Sequence, residues 1–200
     1  MDNDLENPPL EPAPEQAAPV EGKNRFFHSL LDIVETLVFS LLLFAGINTL
    51  TARIRVDGMS MEPTLHSGEF VIVNRLAYRL GKPQIGDIIV FRFPRNPEQE
   101  YIKRVIGLPG DQVVIANNQV KVNGKLLKEP YIAARPKYET TLTVPEDSLF
   151  VLGDNRNNSS DSHTWGPVPF PNVVGKAVIV YWPPREWGIV GHTPPDIISP

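Results

Sequence analysis

Between Ile33 and Leu50 the chain is almost uninterrupted apolar sequence, close to the roughly 20 residues an α-helix needs to cross the hydrocarbon core of a bilayer. Glu35 is the one acid in the run, and its place near the start lets it reach interfacial water or a partner instead of mid-bilayer. The stretch Phe39 to Phe44 has no polar face at the 3.6-residue period, unlike a helix laid on a soluble core. A cleaved secretory signal fits the flanking Lys23 and Arg25, but the run starts late and lacks a small-x-small cleavage site. We read residues 25–52 as one transmembrane helix. Lys23 and Arg25 before it and Arg53 and Arg55 after it tie the positive-inside comparison, so charge leaves the orientation open.

Residues 1–24, rich in Pro, Ala and Glu, contain too little apolar surface to offset the entropy of ordering and read as a disordered tail. Asp2, Asp4, Glu6, Glu11, Glu15 and Glu21 all precede the first basic residue, so the net charge of -4 belongs to the tail and the remainder is slightly positive. That remainder carries no basic stripe, which excludes nucleic acid as a partner class. Cysteine is absent, and with it disulfides, thiolate zinc sites and cysteine nucleophiles. His28, His66, His163 and His192 form no paired metal-binding spacing, so neither a metal nor a cofactor is expected.

Residues 53–200 are long enough for one domain. They carry short Val, Ile and Phe runs: Phe70 to Val73, Asp87 to Phe93, Tyr101 to Ile106, Gln112 to Ile115, Gln119 to Val122, Ser148 to Leu152 and Lys176 to Trp182. Turn residues separate them, among them Pro109-Gly110-Asp111, Asn117-Asn118 and the type I′ hairpin pair Asn123-Gly124. The expected fold is mainly β, an antiparallel barrel or sandwich behind a single helix.

Three segments carry the candidate chemistry. In GMSMEPTL, residues 58–65, Ser60 sits in a turn between two methionines, and Pro63 constrains the backbone that follows. A plain loop accounts for this segment equally well. In YIKRVIGLPGD, residues 101–111, strand alternation sends Lys103 and Arg104 to opposite faces, so one must point inward. Burial lowers a lysine pKa from about 10.4 towards 7–8, which would make its amine a usable base. Arginine stays charged, which leaves Arg104 as a structural cation. A solvated edge-strand lysine is the competing reading. The third segment, GDNRNNSSDSHTWG at residues 153–166, is a dense polar loop that Asx- and Ser-turns explain without catalysis.

In this order and spacing the three segments resemble type I signal peptidases, especially single-span bacterial and cyanobacterial or chloroplast members, and the helix before them fits the same pattern. The resemblance implies that Ser60 is the nucleophile and Lys103 its general base, with the Ser159 hydroxyl orienting the amine. It further implies an oxyanion hole at the Ser60 N–H, a bracing Arg104–Asp154 salt bridge, and Asp161 as support for the loop. Gly58 stands where some members place an assisting serine, Asn157 replaces a frequent aspartate, and His163 replaces a frequent arginine, which weakens any pairing with Asp161. Met59, Met61 and Leu65 are expected to form an apolar surface facing substrate or lipid. The implied partners are signal-peptide-bearing preproteins, the bilayer and translocation machinery, with the tail cytoplasmic and the β-domain on the far side of a plasma or thylakoid membrane.

Two other readings compete. Self-cleaving SOS-type repressors also place a serine between methionines but have no membrane span, and a tethered, non-catalytic β-domain would bind exported proteins without cutting them.

Overall fold

The computed structural model describes residues 22–191 and 196–198, with side chains from 28 to 191. The tail expectation, up to residue 21, lies outside these residues, as do His192 and Pro194-Pro195. The chain divides into two units between Ala45 and Gly46. Helix α1 spans Gly22–Leu50, and its stretch His28–Leu50 has a mean hydropathy of 2.1 with none of it buried, long and apolar enough to cross a membrane. The helix stops at Leu50 because Thr51 already pairs with Asn74 in a sheet.

From Thr51 onward the chain is mainly β. Its strands are β1 (Thr51–Arg55), β2 (Phe70–Asn74), β3 (Ile88–Phe93), β4 (Asn96–Gly107), β5 (Gln112–Ala116), β6 (Gln119–Val122), β7 (Lys125–Lys128), β8 (Thr140–Thr143), β9 (Ser148–Leu152), β10 (Val168–Pro169), β11 (Val173–Trp182), β12 (Gly188–Ile189) and β13 (Asp196–Ile198). Short helices α2 (Ala77–Leu80) and α3 (Ser162–Trp165) interrupt them. An eight-stranded sheet runs β1-β2-β11-β3-β4-β9-β10, with β12 beside β11, and a five-stranded sheet runs β13-β7-β6-β5-β8. The pairings are antiparallel. Each expected apolar run falls on a strand, Asp87 alone lying just before β3, whereas β7 (KLLK) and β8 (TTLT) lack the apolar alternation that would announce them. Both expected Asn turns have positive φ at their two central residues, 51° and 61° at Asn117 and Asn118 and 52° and 78° at Asn123 and Gly124. That is the geometry whose twist matches a hairpin.

Strand β3 explains why its sequence is apolar without alternation: both of its faces are covered. Ile88 and Val90 join one cluster with Met61, Leu65, Val71 and Ile102, while Ile89 and Phe91 join another with Val105, Leu149 and Val151. Strand β4, paired with β3 and β9, is buried on both faces in the same way from Ile102 to Gly107.

This packing corrects the expectation for the methionine segment. Met61 and Leu65 are 0% and 1% exposed and belong to the core, whereas Met59 is 52% exposed. The backbone turns Glu62 N→Met59 O at 3.2 Å and Leu65 N→Met61 O at 3.0 Å roll the segment so that positions 61 and 65 face inward together. Met61→Ala is therefore expected to cost about 2–5 kcal/mol, and Met59→Ala no more than about 0.5 kcal/mol. Urea denaturation of the two variants checks the contrast.

Candidate active site

Ser60 lies in the turn after β1, and Lys103 lies on β4 in the interior of the large sheet. They are 43 residues apart in sequence, yet Lys103 Nζ donates to Ser60 Oγ at 2.7 Å and to the Ile102 carbonyl at 2.9 Å. Sequence alternation required one of Lys103 and Arg104 to face inward; both do, at 4% and 0% exposure, because β4 is covered on each side. Burial pushes the Lys103 amine down from 10.5 to about 8, against the opposing pull of the Asp161 and Asp154 carboxylates.

Those carboxylates are engaged elsewhere. Arg104 grips Asp154 through two bonds, Nε to Oδ1 at 2.8 Å and Nη2 to Oδ2 at 2.7 Å, with both side chains fully buried. Its Nη1 donates to the carbonyls of Gly86 at 3.0 Å and Gly191 at 3.2 Å, and Thr64 Oγ1 donates to Asp154 Oδ2 at 2.5 Å. Asp161 accepts the Gly153 N–H at 2.9 Å and lies 2.6 Å from His163 Nδ1. Histidine thus keeps the pairing that its replacement of an arginine was expected to weaken, and its ring stacks on Tyr138 at 3.8 Å between centroids.

The loop 153–163 closes over the serine. Asn155 N donates to the Ser60 carbonyl at 3.0 Å, and Asn155 Nδ2 donates to the Met59 carbonyl at 3.1 Å. A Cβ on Gly153 would stand 2.3 Å from Ser159 Oγ and 2.4 Å from the Ser60 carbonyl oxygen, so no other residue fits there. Sequence reading missed this glycine, and it missed Arg156, which donates to the Gly153 carbonyl at 3.1 Å and is paired in turn with Glu129. Arg156 stood in view in the polar loop. Its partner lies 27 residues back, with no motif to connect the two.

Ser159 is where the structure departs most from expectation. Its hydroxyl is buried beside Gly153 without a hydrogen-bond partner, and the Lys103 amine bonds Ser60 and the Ile102 carbonyl instead. Gly58 has φ +86° and open space where a side chain would project, so it serves the backbone turn and offers no hydroxyl. Among the described residues the Ser60 N–H has no acceptor, which leaves it available to an incoming oxygen. Asn157 bridges to the backbone of Arg135 and Lys137 at 2.9 and 2.8 Å, tying down the far end of the loop. Before Ser60 and Lys103 opens a cleft of about 540 Å³, walled by Ile54 and Asp57 on one side and Tyr101 and Ile102 on the other. No cluster of three or more metal-ligating side chains occurs among the described residues.

A hydroxyl held against a dehydrated amine in a cleft is an arrangement that suits the nucleophilic chemistry of a serine hydrolase. Comparison with known proteins narrows the class. The family model described as signal peptidase, peptidase S26, matches residues 30–182, and the chain belongs to that family. It is 39% identical to a signal peptidase I of Leptolyngbya laminosa over 97% of this chain and 99% of that protein. It is 44% identical to a probable signal peptidase I-2 of Synechocystis sp. over 80% of this chain and 77% of that protein. A thylakoidal processing peptidase 1 of Arabidopsis thaliana is 39% identical over 66% of this chain and 42% of its own length. Family and apolar helix together make this a membrane-associated serine peptidase.

The Arg104–Asp154 pair sets a stability test. Asp154→Ala strands a buried guanidinium and is expected to cost about 3–5 kcal/mol, while Arg104→Met combined with Asp154→Leu recovers most of the loss, because two apolar side chains leave no unpaired charge. Denaturant unfolding of the single and double variants measures both.

Proposed function

We infer that this protein is a membrane-bound endopeptidase that removes N-terminal signal peptides from exported preproteins, with Ser60 as nucleophile and Lys103 as general base. The observation that carries the reading is the 2.7 Å contact between Ser60 Oγ and an amine whose pKa burial lowers to about 8. A neutral lysine has two N–H groups and one lone pair. With one N–H on the Ile102 carbonyl, the deprotonated amine has its lone pair free to accept the Ser60 O–H across the contact that the ammonium makes as donor.

In the first half-reaction Lys103 takes the Ser60 proton as Oγ attacks the scissile carbonyl, and the oxyanion that forms meets the Ser60 N–H. The ammonium then protonates the leaving amine, which departs as the mature protein's N-terminus. Water attacks the acyl ester next, giving its proton to Lys103. Collapse releases the signal peptide's carboxylate and returns the proton to Ser60. Loop 153–163 supports this machinery: Asp154, Asp161 and Asn155 hold it against the nucleophile, and Gly58 and Met59 shape the turn on the other side. Met59 is the member of the apolar trio left exposed.

In this reading residues 1–24 are a cytoplasmic tail, 25–52 a single-pass anchor and 53–200 an extracytoplasmic protease domain in a plasma or thylakoid membrane. About ten residues separate the helix end from Ser60, at most roughly 3.3–3.6 Å each, which keeps the nucleophile near a membrane-inserted substrate. Bilayer, preprotein and translocation machinery are accordingly the proposed partners.

Ser60→Ala and Lys103→Ala are each expected to abolish preprotein cleavage by detergent-solubilised protein while leaving its melting transition in place. Undiminished cleavage by either variant rejects the dyad. A lysine acting as base works only when neutral, so kcat/KM should rise about tenfold per pH unit below about 8 and level off above it. A profile flat from pH 6 to 9 contradicts that role.

A further inference from the structure

A second groove lies apart from Ser60, between the segment 75–83 and the segments around Arg92 and Phe170 to Gly175, with a volume of about 970 Å³. Arg75, Arg79, Lys82 and Arg92 line it against Glu100 and Glu146, a surplus of positive charge. None of the four cations has a carboxylate partner among the described residues, and all four are exposed. Much of the remaining wall is apolar. It includes Phe170 and Tyr78, whose hydroxyl donates to Asp87 at 3.0 Å while Lys176 donates to the same carboxylate at 2.6 Å.

Position selects the ligand. The Arg75 N–H donates to the carbonyl of Leu50 at 3.0 Å, and Leu50 is the last residue of the apolar span. The first cation of the groove is therefore one hydrogen bond from the point where the chain leaves that span. The next two follow on α2 and just beyond it, beside Leu80, which is 84% exposed. A basic groove with an apolar wall at this point matches a molecule that is anionic at one end and apolar at the other. We propose that the groove holds the phosphate headgroup of an anionic membrane lipid in the leaflet on the β-domain's side. This goes beyond the peptidase reading, and of the groove's lining only Glu100 also borders the cleft before Ser60.

The test is native mass spectrometry of the full chain in mild detergent, titrated with phosphatidylglycerol or with phosphatidylcholine of the same acyl chains. The expected result is preferential retention of phosphatidylglycerol, weakened about fivefold for each cation removed in the series Arg75→Gln, Arg79→Gln, Lys82→Gln. Retention should survive Arg75→Lys with Arg79→Lys, and should fall for the unaltered protein in about 1 M salt, where screening shortens to about 3 Å. The salt arm keeps the proposal testable should a Gln variant misfold. Equal retention of the two lipids, salt-independent retention, or full retention by a folded triple Gln variant overturns the proposal. Competition by inorganic phosphate at the lipid's own concentration also overturns it, since the site would then be a free-anion site.

Discussion

The site depends on removing water from one amine. A lysine ammonium is strongly hydrated, and taking a charge of that kind into a protein costs several kcal/mol unless a counter-ion compensates. Two carboxylates are near enough to Lys103 to compensate, and both oppose the downward shift, yet burial outweighs them. The reason lies in their other commitments. Asp154 is matched by a bidentate guanidinium, and Asp161 by backbone N–H groups and an imidazole, and neither hydrogen-bonds the amine. The amine is left with a neutral hydroxyl and a carbonyl, partners that suit an uncharged base.

Keeping that arrangement requires stiffness in a loop with no secondary structure of its own across residues 153–160. The stiffness comes from buried charge pairs meeting at one residue. Gly153 is held through its N–H by Asp161 and through its carbonyl by Arg156, and the adjacent Asp154 is held by Arg104. Since Arg104 directly follows Lys103 on β4, the strand that carries the buried amine also secures the loop that closes over Ser60. Arg156 extends the brace to Glu129, beyond the end of β7 in the smaller sheet. Breaking any one pair strands a charge in the interior, so the brace is costly to loosen piecemeal.

Much of this was legible in the sequence wherever local pattern carries the information. The apolar runs marked β2, β3, β5, β6 and β9, and the Asn turns marked the hairpins, because β-branched residues and φ > 0 requirements are local signals. Strands β7 and β8 were not visible, since KLLK and TTLT are ordinary polar sequence until partners cover one face. The methionine segment misled for a similar reason: an apolar residue in a turn faces substrate or core depending on what packs over it, and β3 and β11 pack over Met61 and Leu65. The role given to Ser159 rested on resemblance, and its hydroxyl turns out to be enclosed beside Gly153 and not on the amine.

By itself, the order of residues determined the class of the chain: an apolar helix, a β-domain, a serine and a lysine in segments whose company is specific, and no thiol or paired histidines to supply other chemistry. Only the tertiary structure decided that Lys103 and Arg104 are both buried, that the amine faces Ser60 from 43 positions further along the chain, and that the nearby carboxylates are already engaged. The physical reason is that solvation belongs to a position in space. A sequence names the group that would titrate, but its pKa follows from which strands exclude water from it and which charges have found other partners.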